Sequence, residues 1–306
     1  MDDISYKHFQ SNDTLAGLFQ VKRDVIYSTA MGRNLTLDLI SPWAAEYADE
    51  KPALPLVVFV QGSGWLTPEP NFELPQLCEF ARRGYVVASV RHRDCIADGT
   101  PAPAFLVDVK CAIRFLREHA AQYGIDLGRV GIWGTSSGAH TAQLVGVTAG
   151  ISEFESPEHA DFSDAVEAVV SCFGPSNLVR WLECMGETPD FAPLHDHFVV
   201  GTDEERVAMA EKLSAIRYVD AERASDIPPF LLGVGTDDPY VETTQVTNMV
   251  EALEGIGVEA EGFLVDGAHH ESNFWSKVVL DEIWAFLDRP LRNYRTNDNR
   301  SKGLTT

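Results

Sequence analysis

The stretch Gly134-Thr135-Ser136-Ser137-Gly138 follows the apolar run Val130-Gly-Ile-Trp133 and precedes helical spacing of Ala139, Ala142, Leu144 and Val145. A serine on a tight strand-to-helix turn projects its hydroxyl outward. The flanking glycines are required because side chains there would collide with the adjoining strand or helix. Such a hydroxyl is a poor nucleophile until a base removes its proton. Gly267-Ala268-His269-His270-Glu271 offers that base late in the chain, between the last predicted strand and the last predicted helix. Of the two histidines, His270 is preferred over His269. An acid must then fix the histidine tautomer and stabilise the imidazolium. Gly235-Thr236-Asp237-Asp238-Pro239-Tyr240-Val241 follows the apolar run Phe230–Val234 and supplies it. Asp238 is preferred, which leaves Asp237 to cap the following helix.

Acyl transfer also needs N–H donors for the tetrahedral oxyanion. Gln61-Gly62-Ser63-Gly64-Trp65 follows the run Leu56–Val60, and small residues there let the backbone approach a ligand. The N–H groups of Ser63, Gly64 and Ser137 are the expected oxyanion hole, with the Ser63 hydroxyl as a further candidate donor. Gln61, Trp65 and Trp181 are candidate substrate-binding residues. Standing alone, the Gln61–Trp65 stretch would read as an ordinary glycine turn. Serine, acid and histidine in this order along the chain are far more specific than any one of them.

These residues require a scaffold that brings loops to one edge. Short apolar runs at Pro55–Val60, Tyr85–Val90, Val130–Trp133, Ala165–Val170, Phe230–Val234 and Gly262–Val265 suit strands covered on both faces. Between them lie amphipathic helical patterns. The clearest has Leu106, Val109, Ile113, Leu116 and Ala120 on its apolar face, Lys110, Arg114, Arg117 and Glu118 mostly turned away, and Gly124 at its end. A second helical face carries Val246, Met249, Val250 and Leu253. A last helix is predicted over Phe274–Leu287, stopped by Pro290. The alternation predicts an α/β fold with a mostly parallel central sheet and helices on both faces. Asp24 to Ile40 reads as an opening hairpin, because Leu35, Leu37 and Leu39 alternate with Thr36 and Asp38.

A single domain over 1–306 is expected, with a polar N-terminal arm at 1–23 and a polar tail at 293–306. The stretch at about 176–226 shows no apolar strand and carries Trp181, Met185, Phe191 and Phe198 among acidic residues, with His195 and His197. Too long for an ordinary connection, it reads as a lid or cap insertion, or as a pair of surface helices.

With these motifs in place, the chain resembles the α/β-hydrolase esterases of the hormone-sensitive-lipase and bacterial feruloyl/acetyl-xylan esterase type. Those families carry a His-Gly-Gly-Gly-Trp-like loop, a Gly-x-Ser-x-Gly elbow, an Asp-Pro-x-Val acid loop and a Gly-x-x-His base loop. The similarity spans about Asp24 to Leu287. It includes Asp108-Val-Lys-Cys-Ala-Ile-Arg-Phe-Leu and Asp126-Leu-Gly-Arg129-Val-Gly-Ile-Trp-Gly. It favours the second residue of each doublet, Asp238 and His270. Gln61 and Ser63 depart from the pattern, standing where those families have the histidine and the middle glycine. The resemblance implies a serine carboxylesterase with an acyl-enzyme intermediate, acting on small acyl or aryl esters such as feruloyl or acetyl esters of plant sugars. Arylformamidase, an amide hydrolase similar to kynurenine formamidase, shares this architecture and is the enzymatic alternative. A ligand-binding protein on a catalytically dead hydrolase scaffold is the alternative from another class.

Composition narrows the partners. The 306 residues carry 24 Lys and Arg against 46 Asp and Glu, a formal charge of −22. That balance leaves little cationic surface for nucleic acid or anionic membranes, so neither is expected. A small-molecule ester is the expected partner and, as hydrolases of this size often dimerise, a homo-oligomer is compatible with the sequence. The five cysteines are widely spaced and form no metal-binding pattern, so no metal is expected and a reducing compartment fits; acyl transfer through a serine needs no cofactor. The sequence shows no signal-peptide pattern and no run of ~18 apolar residues. A cytoplasmic location is the expectation.

Overall fold

A computed structural model describes residues 6–29, 32–46, 52–185 and 197–292 of the chain. The apolar runs become the centre of an eight-stranded sheet. Its strands are β1 (Phe19–Ser28), β2 (Leu35–Pro42), β3 (Leu54–Val60), β4 (Val86–Val90), β5 (Ile125–Thr135), β6 (Ala168–Cys172), β7 (Phe230–Gly235) and β8 (Ala260–Val265). The spatial order is β1-β2-β4-β3-β5-β6-β7-β8. The β1–β2 and β2–β4 pairs are antiparallel and all others are parallel. Leu56 to Val60 and Val130, Ile132 and Trp133 are at most 1% exposed, as strands covered on both faces require.

The helices that cover the sheet are α1 (Leu74–Arg82), α2 (Ala104–Glu118), α3 (Ser137–Val147), α4 (Leu178–Met185), α5 (Asp203–Lys212), α6 (Thr244–Gly255) and α7 (Lys277–Arg292). The predicted α/β-hydrolase architecture is therefore present. Loops at the C-terminal ends of β3, β5, β7 and β8 carry Gly62 to Trp65, Ser136, Asp238 and His270. That edge is where ligands bind in open parallel sheets.

The structure departs from the sequence expectations at several points. β1 begins at Phe19, so the last residues of the stretch expected as an N-terminal arm pair with β2 instead. β6 starts three residues later than expected because Ala165 leaves its carbonyl to Arg117 rather than to a neighbouring strand.

The cations of α2 do not face water. Lys110 is fully buried against Asp164 at 2.7 Å, Arg114 pairs with Glu155 at 2.7 Å, and Arg117 pairs with Glu167 at 3.5 Å. The segment following α3 lays these acids across the helix. Burying charge is tolerable only with such partners.

Pro290 does not stop α7, which runs on to Arg292. Leu291 is fully buried and reaches β5, where a Cβ on Gly131 would lie 2.9 Å from its Cδ1. That packing holds the last turn in helical form although Pro290 has no N–H to donate.

Between β6 and β7, the described part of 176–226 forms α4, α5 and short 3₁₀ turns at 215–218 and 221–226. Thr202 and Glu205 close a capping box that starts α5. Residues 186–196, with Phe191 and His195, and the tail 293–306 lie outside the described residues.

Candidate active site

Thr135 ends β5 and Ser137 opens α3, so Ser136 alone makes the turn, at φ +50° and ψ −120°. A non-glycine residue adopts this region only when its surroundings hold it there. Ser136 N–H donates to the Cys172 carbonyl at 2.9 Å, while the Ser136 carbonyl accepts His140 N–H at 3.0 Å. The flanking glycines are a steric necessity. A Cβ on Gly134 would lie 2.1 Å from the Gly138 carbonyl oxygen, and one on Gly138 would lie 2.0 Å from that of Val60.

Ser136 Oγ lies 2.8 Å from His270 Nε2, and His270 Nδ1 lies 2.7 Å from Asp238 Oδ2. With the proton on Nδ1 donated to the carboxylate, Nε2 is left to accept from the serine hydroxyl. The Asp238 side chain is wholly buried. Its other oxygen accepts the N–H groups of Tyr240 at 2.8 Å and Val241 at 2.9 Å, so the buried carboxylate is fully partnered. The imidazole sits between the rings of Phe173 and Tyr240 at centroid distances of 4.8 and 5.3 Å. His269 instead binds Asn273 through its backbone and is exposed. Asp237 does not cap a helix as expected. Its N–H goes to the Ala268 carbonyl, its side chain is exposed, and α6 begins only at Thr244.

The loop after β3 departs from expectation in two of its residues. Gln61 turns its carboxamide oxygen to the Glu69 N–H and holds the loop, rather than facing the space beside Ser136. Ser63 N–H donates to Ser137 Oγ at 3.0 Å, and the Ser63 hydroxyl donates to the Leu66 carbonyl at 2.7 Å. Both Ser63 donors are thus engaged within the protein. The N–H groups of Gly64 and Ser137 have no protein acceptor among the described residues.

Trp65 and Trp181 both face Ser136. They line, with Gly64, Ser136, Ser137, Tyr240 and His270, a cavity of about 20 Å³, roughly the space of one water molecule. The Trp65 ring, 2% exposed, stacks on Phe198 at 3.9 Å and meets the Trp181 ring edge-on at 5.5 Å. The Trp181 indole N–H donates to the Tyr240 carbonyl at 2.9 Å.

Several residues that support the site have no motif. His140 on α3 accepts the Trp65 indole N–H at Nδ1 (3.2 Å) and lies 2.7 Å from the Leu213 carbonyl through Nε2. Burial lowers its pKa to about 4, with the Leu213 carbonyl opposing that shift. A histidine within a helix otherwise rich in small and apolar residues was the available signal. Thr135 Oγ1 accepts Gly62 N–H at 2.8 Å and donates toward Glu73 Oε1 at 3.4 Å. Burial, reinforced by the Glu271 carboxylate, raises the Glu73 pKa to about 8. Glu271, whose Oε2 accepts the Trp275 indole N–H at 2.8 Å, is itself raised, first by burial. Nothing in the local sequence marks Glu73. Among the described residues no cluster of three His, Cys, Asp or Glu side chains could hold a metal ion, and no helix is long and apolar enough to cross a membrane.

The family described as BD-FAE matches residues 38–253. Esterase LipC of Mycobacterium tuberculosis (strain ATCC 25618 / H37Rv) is 28% identical over 240 residues, covering 76% of this chain and 56% of its own length. The chain spans about half the length of the curated relatives it matches. Among solved structures, a truncated form of a carbohydrate esterase from gut microbiota is 25% identical with a TM-score of 0.73, over 92% of this chain and 98% of that one. The apo form of Thermogutta terrifontis esterase 2, at 24% identity and a TM-score of 0.71 over 92% and 97% of the two chains, shares the fold.

Proposed function

The chain belongs to the BD-FAE family, and on that premise we propose that it is a serine carboxylic ester hydrolase working through Ser136, His270 and Asp238. The observation that carries the reading is the continuous hydrogen-bonded line from the Ser136 hydroxyl through His270 to the buried Asp238 carboxylate. His270 Nε2 takes the hydroxyl proton as Ser136 Oγ bonds to the ester carbonyl carbon. The oxyanion forms against the N–H groups of Gly64 and Ser137. His270 then returns the proton to the departing alcohol, leaving an acyl-enzyme. Water attacks that acyl group with the same imidazole as base, and Ser136 leaves as the free hydroxyl.

The substrate proposed is an ester of a short acyl group, acetyl in preference to feruloyl. Trp65 and Trp181 narrow the space beside Ser136, which favours a short acyl group over an aromatic one. An acetylated sugar fits this reading, in keeping with the carbohydrate-esterase neighbour. The described part of 176–226, which contributes Trp181, is the proposed cover over that side.

A panel of p-nitrophenyl esters of increasing acyl length, methyl ferulate, acetylated xylooligosaccharides and N-formylkynurenine tests the proposal. Acetate turnover that vanishes in Ser136→Ala is the expected result. Turnover of N-formylkynurenine alone would replace the esterase reading with an amidase one. Absence of any turnover, together with absence of fluorophosphonate labelling at Ser136, would overturn both.

A further inference from the structure

We propose that the side-chain hydroxyl of Ser137, beside its backbone N–H, is a donor to the oxyanion, standing in for the N–H of Ser63. The proposal rests on the esterase reading above. Its starting point is the diversion of Ser63. That N–H points to Ser137 Oγ at 3.0 Å, and the Ser63 hydroxyl is occupied by the Leu66 carbonyl. A serine hydroxyl has two acceptor lone pairs and one proton to donate. By accepting from Ser63, Ser137 Oγ fixes a lone pair toward the loop, which leaves its O–H to be directed elsewhere. Ser137 is only 3% exposed, and its O–H has no acceptor among the described residues. A buried donor left in that condition is costly and calls for a partner.

The surroundings say which partner the hydroxyl suits. Ser137 borders the same small cavity as Gly64, Ser136 and His270, and its own N–H opens α3, where N–H groups at a helix terminus that have no partner within the helix favour negative charge. Ser63 N–H, Ser137 O–H and the oxyanion would thus form a short chain of donors, in which the first polarises the second. No proton is transferred along it; the hydroxyl keeps its hydrogen throughout. Because negative charge develops on the carbonyl oxygen only as Ser136 attacks, the bond strengthens in the transition state and raises kcat rather than lowering KM.

The test compares wild type, Ser137→Ala and Ser137→Thr with p-nitrophenyl acetate and with a trifluoromethyl ketone, whose adduct with Ser136 carries the oxyanion. The expected result for Ser137→Ala is a kcat lowered by about 10- to 100-fold with KM nearly unchanged, since one donor is lost. The ketone should weaken by the same factor, and Ser137→Thr, which keeps the hydroxyl, should recover most of the rate. An alanine variant as fast as wild type would overturn the proposal alone and would mean that the released Ser63 N–H serves directly. So would a slow variant whose ketone affinity is unchanged, because that pattern belongs to a loosened loop. An inert wild type that a fluorophosphonate does not label would overturn the esterase reading beneath it, and this proposal with it.

Discussion

The indole N–H of Trp65 donates to Nδ1 of His140 at 3.2 Å, and this bond ties the loop after β3 to the helix that begins beside Ser136. Because Nδ1 accepts, His140 carries its proton on Nε2 and gives it to the Leu213 carbonyl, beyond α5. A neutral buried histidine therefore joins the loop, the elbow helix and the segment that follows α5. Trp65 itself sits at φ +59°, a strained conformation that these contacts sustain.

Trp65→Ala should remove the wall without touching Ser136, His270 or Asp238. The variant is expected to lose about 3–5 kcal/mol of stability, as truncation of a buried tryptophan does. Its preference for butyrate over acetate esters, as a ratio of kcat/KM, should rise by about 10-fold or more, since each accommodated methylene is worth that much in an apolar site. Thermal unfolding and the p-nitrophenyl ester series measure the two effects. An unchanged acyl preference would remove Trp65 from the acyl side.

Asp238→Asn should keep the fold but offer His270 an amide in place of a carboxylate. The imidazole then loses both its tautomer bias and its counter-charge. A fall in kcat of about 10⁴-fold is expected, with circular dichroism unaltered. Asp237→Asn, at an exposed position, should stay within about threefold of wild type, surface changes being nearly neutral.

Glu73 gives a stability signature in alkali. Its folded pKa of about 8 stands above the value of about 4.3 for an exposed glutamate. Between those values the folded protein holds a proton that the unfolded chain has released, so stability falls as pH rises from about 4.3 to about 8. Glu73→Gln keeps an acceptor for Thr135 and removes the titration. Its unfolding midpoint should exceed that of wild type at pH 9, by a margin that shrinks toward pH 5. Parallel curves for the two proteins would contradict the assignment.

Lys110→Ala should destabilise the protein by about 3–5 kcal/mol, because it leaves Asp164 buried without its cation and also vacates the Thr148 carbonyl. Urea titration measures the loss. Replacing both partners by apolar residues of similar volume, as in the Lys110→Met, Asp164→Leu double variant, should recover much of it.

The motifs legible in the sequence were those in which geometry demands a residue type. Gly134 and Gly138 are the only solution to two backbone approaches near 2 Å, so the elbow could be read from letters alone. The strands were legible for a similar reason: burial on both faces leaves a continuous apolar run, as in Leu56 to Val60. Hydrogen-bond partners were less accessible. Ser63 looked like an oxyanion donor by position, but a hydroxyl one residue beyond Ser136 competes for its N–H, and the two are 74 residues apart. The cations of α2 looked exposed because amphipathic spacing says which face is apolar, and not whether a later segment will cover the other face with acids.

The order of the strands also sets when this chemistry can exist. Ser136 and His270 are separated by 134 positions, and they meet only because β6, β7 and β8 are laid beside β5 in sequence order. A nascent chain that has passed the serine elbow is still inert, since its base has not been synthesised and its acid loop has no strand to stand on. Contacts of such long range form late and slowly. On the mechanism proposed above, ester turnover would report completed folding, because a partly assembled sheet lacks the base and the strand that carries the acid loop.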